Sequence, residues 1–196
     1  MMPSSKMNEG KTSRENELDA KATLNIKRLT EECGRGAFLC GDAEIDRFFK
    51  NEAWEDQRKL NLLTWAAHLN DDQRPMGFYS LTVITQPDSM LDGQYRSLAR
   101  VRLSKGQFAS IRLGWLAVKR DLQGQGWGTI MMGHIIRECY EVIIRTGIFG
   151  ITLTARNTRA AVFYERLGFV RYGRNNDSPD MFLPAQSVSE ITEQNA

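Results

Sequence analysis

The sequence predicts one α+β (mixed α/β) domain, a single sheet layer with helices packed on both faces. Three observations carry this expectation. Short apolar runs and helical-period segments follow one another in the order strand, helix, three strands, helix, strand, helix, strand. The runs at 62–69 and 77–84 are separated by Asn70-Asp71-Asp72, a turn that suits a hairpin. Finally, 196 residues with 41% hydrophobic and 26% charged content suffice for one core, and no internal repeat or second domain is visible.

The elements are justified in chain order. Residues 1–22 are polar and aperiodic and are expected to form a tail. Leu24 to Leu29 alternates as a first strand, broken by Gly34 and Gly36. Ile45, Phe48, Phe49 and Ala53 recur at three- and four-residue steps, which predicts an amphipathic helix from Asp42 to Lys59 with Asp42 as its cap. After the hairpin, Pro87, Gly93 and Gly106 punctuate a basic stretch read as loop, with a short helix near Gln94–Arg102. Arg112 to Val118 reads as a buried strand, and Lys119 to Gly128 as a glycine-rich turn. Ile130, Met131, His134, Ile135, Val142 and Ile143 then predict a helix from Trp127 to Thr146, stopped by Gly147. His134 lies on its apolar side and is expected to be a satisfied core histidine. Phe149 to Ala155 is a strand. A helix capped by Asn157 or Thr158 runs through Leu167, ahead of Gly168, and the strands Phe169–Tyr172 and Met181–Leu183 close the fold. Residues 186–196 are expected to be a second tail, leaving a domain over 23–185.

Composition narrows the function classes. No run of about 18 apolar residues occurs, so no membrane span is expected. The start lacks a signal-peptide core, which points to the cytoplasm. Cys33, Cys40 and Cys139 match no zinc spacing and are expected to be reduced, buried or half-buried thiols, so no metal is expected. The net charge is only +2, but it is unevenly spread: residues 1–92 carry 12 Lys/Arg against 16 Asp/Glu, residues 93–196 carry 14 against 8. No acid occurs between Gly93 and Arg120, where Arg96, Arg100, Arg102, Lys105, Arg112, Lys119 and Arg120 fall. Such a stretch serves as a solvated face, as a site for cofactor phosphates or as a patch for a polyanion such as RNA.

The chemistry-bearing motif is Gln123-Gly124-Gln125-Gly126-Trp127-Gly128, between a strand and a helix N-terminus. The first turn of a helix carries unpaired N–H groups and the positive end of the dipole, and glycine lets those amides approach oxygen without a Cβ in the way. A pyrophosphate suits that arrangement. A Walker loop needs Gly-Lys-Ser/Thr, and Gly128-Thr129 has no lysine; the dinucleotide fingerprint needs a different glycine spacing.

The segment 123–128 resembles the Q/R-x-x-G-x-G/A motif of GCN5-related N-acetyltransferases (the GNAT family). Ala155-Arg156-Asn157-Thr158-Arg159-Ala160-Ala161-Val162-Phe163-Tyr164-Glu165-Arg166-Leu167-Gly168-Phe169 is similar to that family's N-x-x-A-x-x-F-Y-x-x-x-G-F signature. The two motifs stand in the family's order, and the resemblance spans Leu24 to Pro184. It implies a GNAT-like domain with a twisted, mostly antiparallel sheet and a splayed strand pair that holds acetyl-coenzyme A. It further implies that Leu116, Ala117 and Val118 pair with the pantetheine arm, that Gln123, Gly124, Gln125, Gly126, Trp127 and Gly128 hold the pyrophosphate, that Asn157 contacts the cofactor, and that Tyr164 sits near its sulfur.

Those roles make chemical sense. Acetyl transfer to an amine builds negative charge on the acetyl oxygen, which a backbone N–H near Leu116–Val118 could stabilise. The leaving thiolate needs a proton, for which Tyr164 is the candidate general acid; its alternative is packing beside Leu167 and Ala160. The amine must attack uncharged. Glu44, Asp46 and Glu52 are carboxylates within reach in sequence, but surface helix carboxylates are usually just solvated, and none is assigned as base. An α-amine has a pKa of about 7.7–8 against about 10.4 for lysine, which favours an α-amine acceptor.

Phe38-Leu39-Cys40-Gly41-Asp42-Ala43-Glu44-Ile45-Asp46-Arg47-Phe48-Phe49 is similar to the opening of a GNAT subgroup that includes toxins of toxin–antitoxin pairs. Arg112-Leu113-Gly114-Trp115-Leu116-Ala117-Val118 resembles their L-G-R-L-A-V strand, with Trp115 in place of the usual arginine. The resemblance implies acetylation of the α-amine of aminoacyl-tRNA with arrest of translation, a homodimer, and a small ribbon-helix-helix antitoxin as partner. The basic second half suits tRNA phosphates. Two alternatives stand beside it: an acetyltransferase of a small amine or protein N-terminus, and a non-catalytic acyl-coenzyme A-binding regulatory domain.

Overall fold

The computed structural model describes residues 23–70, 72–99, 106–173 and 177–194. The expected tail over 1–22 lies outside them. Among the described residues, seven strands form one sheet in the order β1-β2-β3-β4-β5-β7-β6. These are β1 Leu24–Arg28, β2 Leu63–Leu69, β3 Gly77–Pro87, β4 Gln107–Val118, β5 Gly150–Thr154, β6 Val170–Tyr172 and β7 Asp180–Pro184. Every neighbouring pair is antiparallel except β4 and β5. The predicted α+β single sheet is therefore present.

The helices are α1 Ala43–Arg47, α2 Ala53–Arg58, α3 Gly93–Ala99, α4 Trp127–Thr146, α5 Thr158–Glu165 and α6 Ala185–Gln194. A π-helical turn, Phe48–Glu52, joins α1 to α2, so the predicted helix over Asp42–Lys59 forms as one widened run. Asp42 caps it, its carboxylate accepting from the amides of Glu44 and Ile45. Adjacent side chains diverge by about 100° on an ordinary α-helix. The wider turn accommodates the burial of both Phe48 and Phe49, at 3% and 0% exposure.

Two cores lie on opposite faces of the sheet. On one, Tyr79, Leu81, Ile111, Leu113, Ile151 and Leu153 pack under α4, α5 and α6. On the other, Phe38, Phe48, Phe49 and Phe78 pack with Ala66 and Ala117, and a separate cluster gathers Phe108, Phe182, Tyr172 and Leu91. A β-bulge in the β3–β4 ladder falls at Gly114: Ser80 opposes Trp115 while Leu81 opposes Leu113. The extra residue reverses the alternation of side chains. Ile111 and Leu113 face α4, and beyond the bulge Leu116 and Val118 do, so that Trp115 and Ala117 turn to the aromatic side.

Three expectations need correction. β4 starts at Gln107, not Arg112, because Phe108 and Ser110 are buried and extend the alternation backwards. The short helix is Gly93–Ala99; Arg100 and Arg102, expected to end it, lie outside the described residues. The expected C-terminal tail over 186–196 holds α6, whose Val188 is fully buried and whose Ile191 packs against the core under α4. Docking of that sparse apolar edge outweighs the weak helix propensity of its Ser and Thr residues.

The thiols of Cys33, Cys40 and Cys139 are free, the first two half-buried and the third buried, as expected. Burial pushes Cys139 up to about 12, and the same effect raises Cys40 to about 11. His134 is half-buried and its Nδ1 lies 3.1 Å from the Tyr79 hydroxyl, the satisfied core histidine that the sequence suggests.

Candidate active site

β4 and β5 pair at only two positions, Ile111 with Ile151 and Arg112 with Thr152, and then part. Beyond Leu113 the bulged strand runs on alongside β3 to Val118, and its other edge has no partner strand among the described residues. That edge carries Leu116, Ala117 and Val118. Unpaired backbone groups along a strand can take a further extended chain, such as a pantetheine arm.

The chain leaves β4 through a short 3-10 turn, Arg120–Leu122, and reaches the glycine motif. Gln123 fastens this loop: its side-chain amide donates to Val118 O at 2.9 Å and to Cys40 O at 2.8 Å. The amide of Arg120 donates to Leu39 O at 2.9 Å, a second tie to the same N-terminal segment. Gln125 donates to Asp121 O at 3.0 Å. Gly124 and Gly126 have φ of +79° and +87°, and a Cβ on either would meet nothing within 4 Å. Glycine is needed there for the left-handed backbone, and the space in front of it is open. Among the described residues, the amides of Gly124 through Gly128 have no intramolecular acceptor, while Thr129 and Ile130 bond back to Gly126 O. The buried indole N–H of Trp127 also has no acceptor. Several orphaned donors at the positive end of a 20-residue helix fit a pyrophosphate.

Two polar residues stand at the β5–α5 junction, one of them the sequence-predicted Asn157. Asn157 caps α5, its side-chain oxygen accepting from Ala160 N at 3.0 Å, and its amide nitrogen remains as a donor. Arg156 reaches across to the start of α1, with Nε 2.9 Å from Asp42 and a terminal nitrogen 2.8 Å from Glu44. The segment from Leu39 to Glu44 is thus tied both to the glycine turn and to the β5–α5 junction.

Tyr164 sits on α5 within the α4-side core, 9% exposed, its ring edge-on to Phe163 and Phe169. Burial raises its hydroxyl well above the usual phenol range, so the group stays protonated at neutral pH. None of the carboxylates considered as bases is free. Asp46 accepts from Cys40 N at 2.7 Å, Glu52 lies 3.2 Å from Arg47, and Glu44 is held by Arg156.

The basic stretch is less bare than its sequence suggests. Arg96 lies 3.4 Å from Asp88, Lys119 3.0 Å from Asp121 and Arg112 3.8 Å from Asp180. Arg120 is exposed beside Gly41. Arg100, Arg102 and Lys105 lie outside the described residues. The Arg112–Asp180 pair was not anticipated, since its partners are 68 positions apart and meet only through the order β4-β5-β7.

A sheet split at its centre, with an amide-lined turn at the open end, defines a protein that holds a phosphorylated acyl donor between two strands. The Acetyltransferase (GNAT) domain family matches residues 61–171, and the chain belongs to this family. It is an acyltransferase with acetyl-coenzyme A as donor. Solved structures agree in fold. A tyrosine-to-phenylalanine mutant of KacT is 26% identical with a TM-score of 0.77, covering 86% of this chain and 98% of that one. AtaT complexed with acetyl-methionyl-tRNAfMet is 25% identical with a TM-score of 0.77, covering 87% and 99%. The tyrosine-to-phenylalanine mutant toxin AtaT, bound to the C-terminus of the antitoxin AtaR and acetyl-CoA, is 25% identical with a TM-score of 0.71, covering 88% and 99%. No helix among the described residues is long and apolar enough to cross a membrane, and no metal-binding cluster of His, Cys, Asp or Glu occurs among them.

Proposed function

We propose that this protein is a toxin that acetylates the α-amine of aminoacyl-tRNA and so blocks translation. The observation that carries this reading is the likeness, over 87% of this chain and 99% of the other, to an AtaT complex that holds acetyl-methionyl-tRNAfMet. The likeness to AtaT with the antitoxin AtaR supports a small antitoxin, expected to be of ribbon-helix-helix type, as a partner. A cytoplasmic homodimer belongs to the same reading. One acetyltransferase domain begins at residue 23 and takes in α6.

In this reading the amides of Gly124 to Gly128 bind the pyrophosphate, with Gln123 and Gln125 holding the loop in shape and Trp127 offering its indole N–H. The free edge at Leu116, Ala117 and Val118 receives the pantetheine arm, and Asn157 contacts it from the α5 cap. Bound there, acetyl-coenzyme A supplies an activated thioester. A β4 amide beside the bulge stabilises the charge that develops on the acetyl oxygen. Tyr164 gives its proton to the departing sulfur.

The test is to incubate the protein with acetyl-coenzyme A and a pool of charged tRNA, then to weigh the aminoacyl groups by mass spectrometry. An added acetyl mass on the α-nitrogen is expected. Unmodified aminoacyl groups, from protein that acetylates other amines, would overturn the tRNA reading. One observation favours a second reading, a small amine or protein N-terminus as acceptor. Arg96, Arg112 and Lys119 are already paired with acids, which leaves fewer free cations for phosphate. Salt separates the two: a tRNA acceptor shows a KM that rises steeply with ionic strength, a small amine does not.

A further inference from the structure

Acetyl transfer brings two molecules to the parting of β4 and β5. In the reading above the donor and Tyr164 take the side toward α4, so the acceptor comes from the aromatic face. Gly114, at the β-bulge, is exposed although it lies in a central strand, and beyond its own neighbours a Cβ there would meet only Ser80 O, at 3.9 Å. There is open space, then, just past the last β4–β5 pair. Two side chains of β4 flank it on the aromatic face, Arg112 before the bulge and Trp115 after it. Arg112 is already engaged, donating to the Thr154 hydroxyl and lying 3.8 Å from Asp180. Trp115 stacks one face of its indole on Phe48, with centroids 4.5 Å and planes 16° apart, and no other ring stacks on it among the described residues. Phe48 is 3% exposed, whereas Trp115 is only half-buried, so its indole keeps an open surface next to Gly114. The polar side chains beneath it, Ser80 and Thr64, are fully buried and hydrogen-bonded to each other at 2.8 Å. The nearby carboxylates are held as well: Asp42 and Glu44 by Arg156, Asp46 by the Cys40 amide, Glu52 by Arg47. A side chain arriving here meets an aromatic surface and charges that already have partners. A charged side chain would lose water without gaining a partner, and a cationic one would also face Arg112. An apolar side chain gains by covering the indole.

We infer that Trp115 is a specificity-determining residue for the acceptor: its indole is the wall against which an apolar side chain of the aminoacyl group lies. The α-amines of residues such as methionine, leucine or phenylalanine are then acetylated in preference to those of glycine or of charged residues. This rests on the α-amine reading above and adds to it the class of amino acid. Phe48 is a positioning residue, which fixes the plane of the indole from behind. Glycine leaves the wall uncovered and gains nothing from it, and a charged side chain replaces hydration with an aromatic surface.

The test compares kcat/KM of the full chain, supplied with acetyl-coenzyme A, for methionine amide, glycine amide, arginine amide and glutamic acid α-amide. Wild type is expected to favour methionine amide over each of the others by about tenfold or more. Trp115→Ala should erase most of that preference, chiefly through the KM for methionine amide. Trp115→Phe keeps a ring on Phe48 and should restore it in large part, whereas Trp115→Arg should turn the preference toward glutamic acid α-amide. Calorimetry with acetyl-coenzyme A shows which variants are folded. Wild type with equal kcat/KM for methionine and glycine amides overturns the inference, whatever the variants do. So does a Trp115→Ala or Trp115→Arg protein that binds acetyl-coenzyme A and retains the wild-type preference. In either case, acetylation of charged tRNA by wild type leaves the proposed function standing. A Trp115-dependent preference among the amides, with no activity on charged tRNA, does the reverse. Activity on none of these acceptors defeats both.

Discussion

Tyr164 and Gly126 place the strongest demands on single side chains. Tyr164 contributes its ring to the core, and in the proposed function its hydroxyl serves the reaction; only the hydroxyl is lost in Tyr164→Phe. That variant should fold with unchanged thermal stability, bind acetyl-coenzyme A normally and lose about 10²–10⁴-fold in kcat, measured by thiol release. A drop in melting temperature together with activity would show a packing role instead. Gly126 holds φ at +87° in open space, so Gly126→Ala meets no clash but strains the backbone. Left-handed placement of an alanine costs roughly 1–2 kcal/mol. If the turn relaxes to escape it, the amides lose their aim, and calorimetry should show acetyl-coenzyme A binding weakened about tenfold or more.

Among the elements, the bulge and the π-turn are the informative departures from regular geometry. The bulge at Gly114 sends Trp115 to the aromatic face and Leu116 to the α4 face. Deleting Gly114 would remove the extra residue and return β4 to unbroken alternation, with Leu113 and Leu116 still toward α4 and Trp115 still on the aromatic face, but without the local bend that a bulge imposes. Purified protein is then expected to fold but to bind acetyl-coenzyme A more weakly in calorimetry, and a deletion with unchanged binding would refute this account. The π-turn is tested by Phe49→Ala. Phe49 is fully buried and stacks on Phe78 with centroids 4.0 Å apart. Its truncation should cost about 3–5 kcal/mol in denaturant unfolding. Helix positions were legible from chain patterning, since Trp127–Thr146 and the Asp42 and Asn157 caps follow from period and capping chemistry. The π-turn was not, because adjacent phenylalanines fit an amphipathic α-helix pattern equally well.

For the whole molecule, the stability of the two-sided sheet is expected to depend on pH through His134. Its imidazole is half-buried, and burial holds its pKa below the usual histidine value; Glu138 opposes this and Arg137 adds to it. The Tyr79 hydroxyl can donate to a neutral ring but not to a protonated nitrogen. A folded-state pKa below the unfolded value means that the unfolded chain takes up the proton first as pH falls. Stability is therefore unaffected by this group above about pH 6.5 and declines below it. His134→Gln should flatten that acid limb in melts between about pH 7 and pH 5, and an unchanged limb would remove His134 as the cause.

Chain order and local chemistry were enough to specify one α+β domain, the glycine turn, the helix that follows it, and Tyr164 and Asn157 on the next helix. These depend on contacts within a few residues, which spacing and turn chemistry encode directly. The fork between β4 and β5, the ties from Cys40 and Asp42 to Gln123 and Arg156, the docking of α6, and the meeting of Arg112 with Asp180 came from packing. Their partners lie from tens to more than a hundred positions apart. Strand order alone makes them neighbours, and strand order is set by how two apolar faces of one sheet are covered at once.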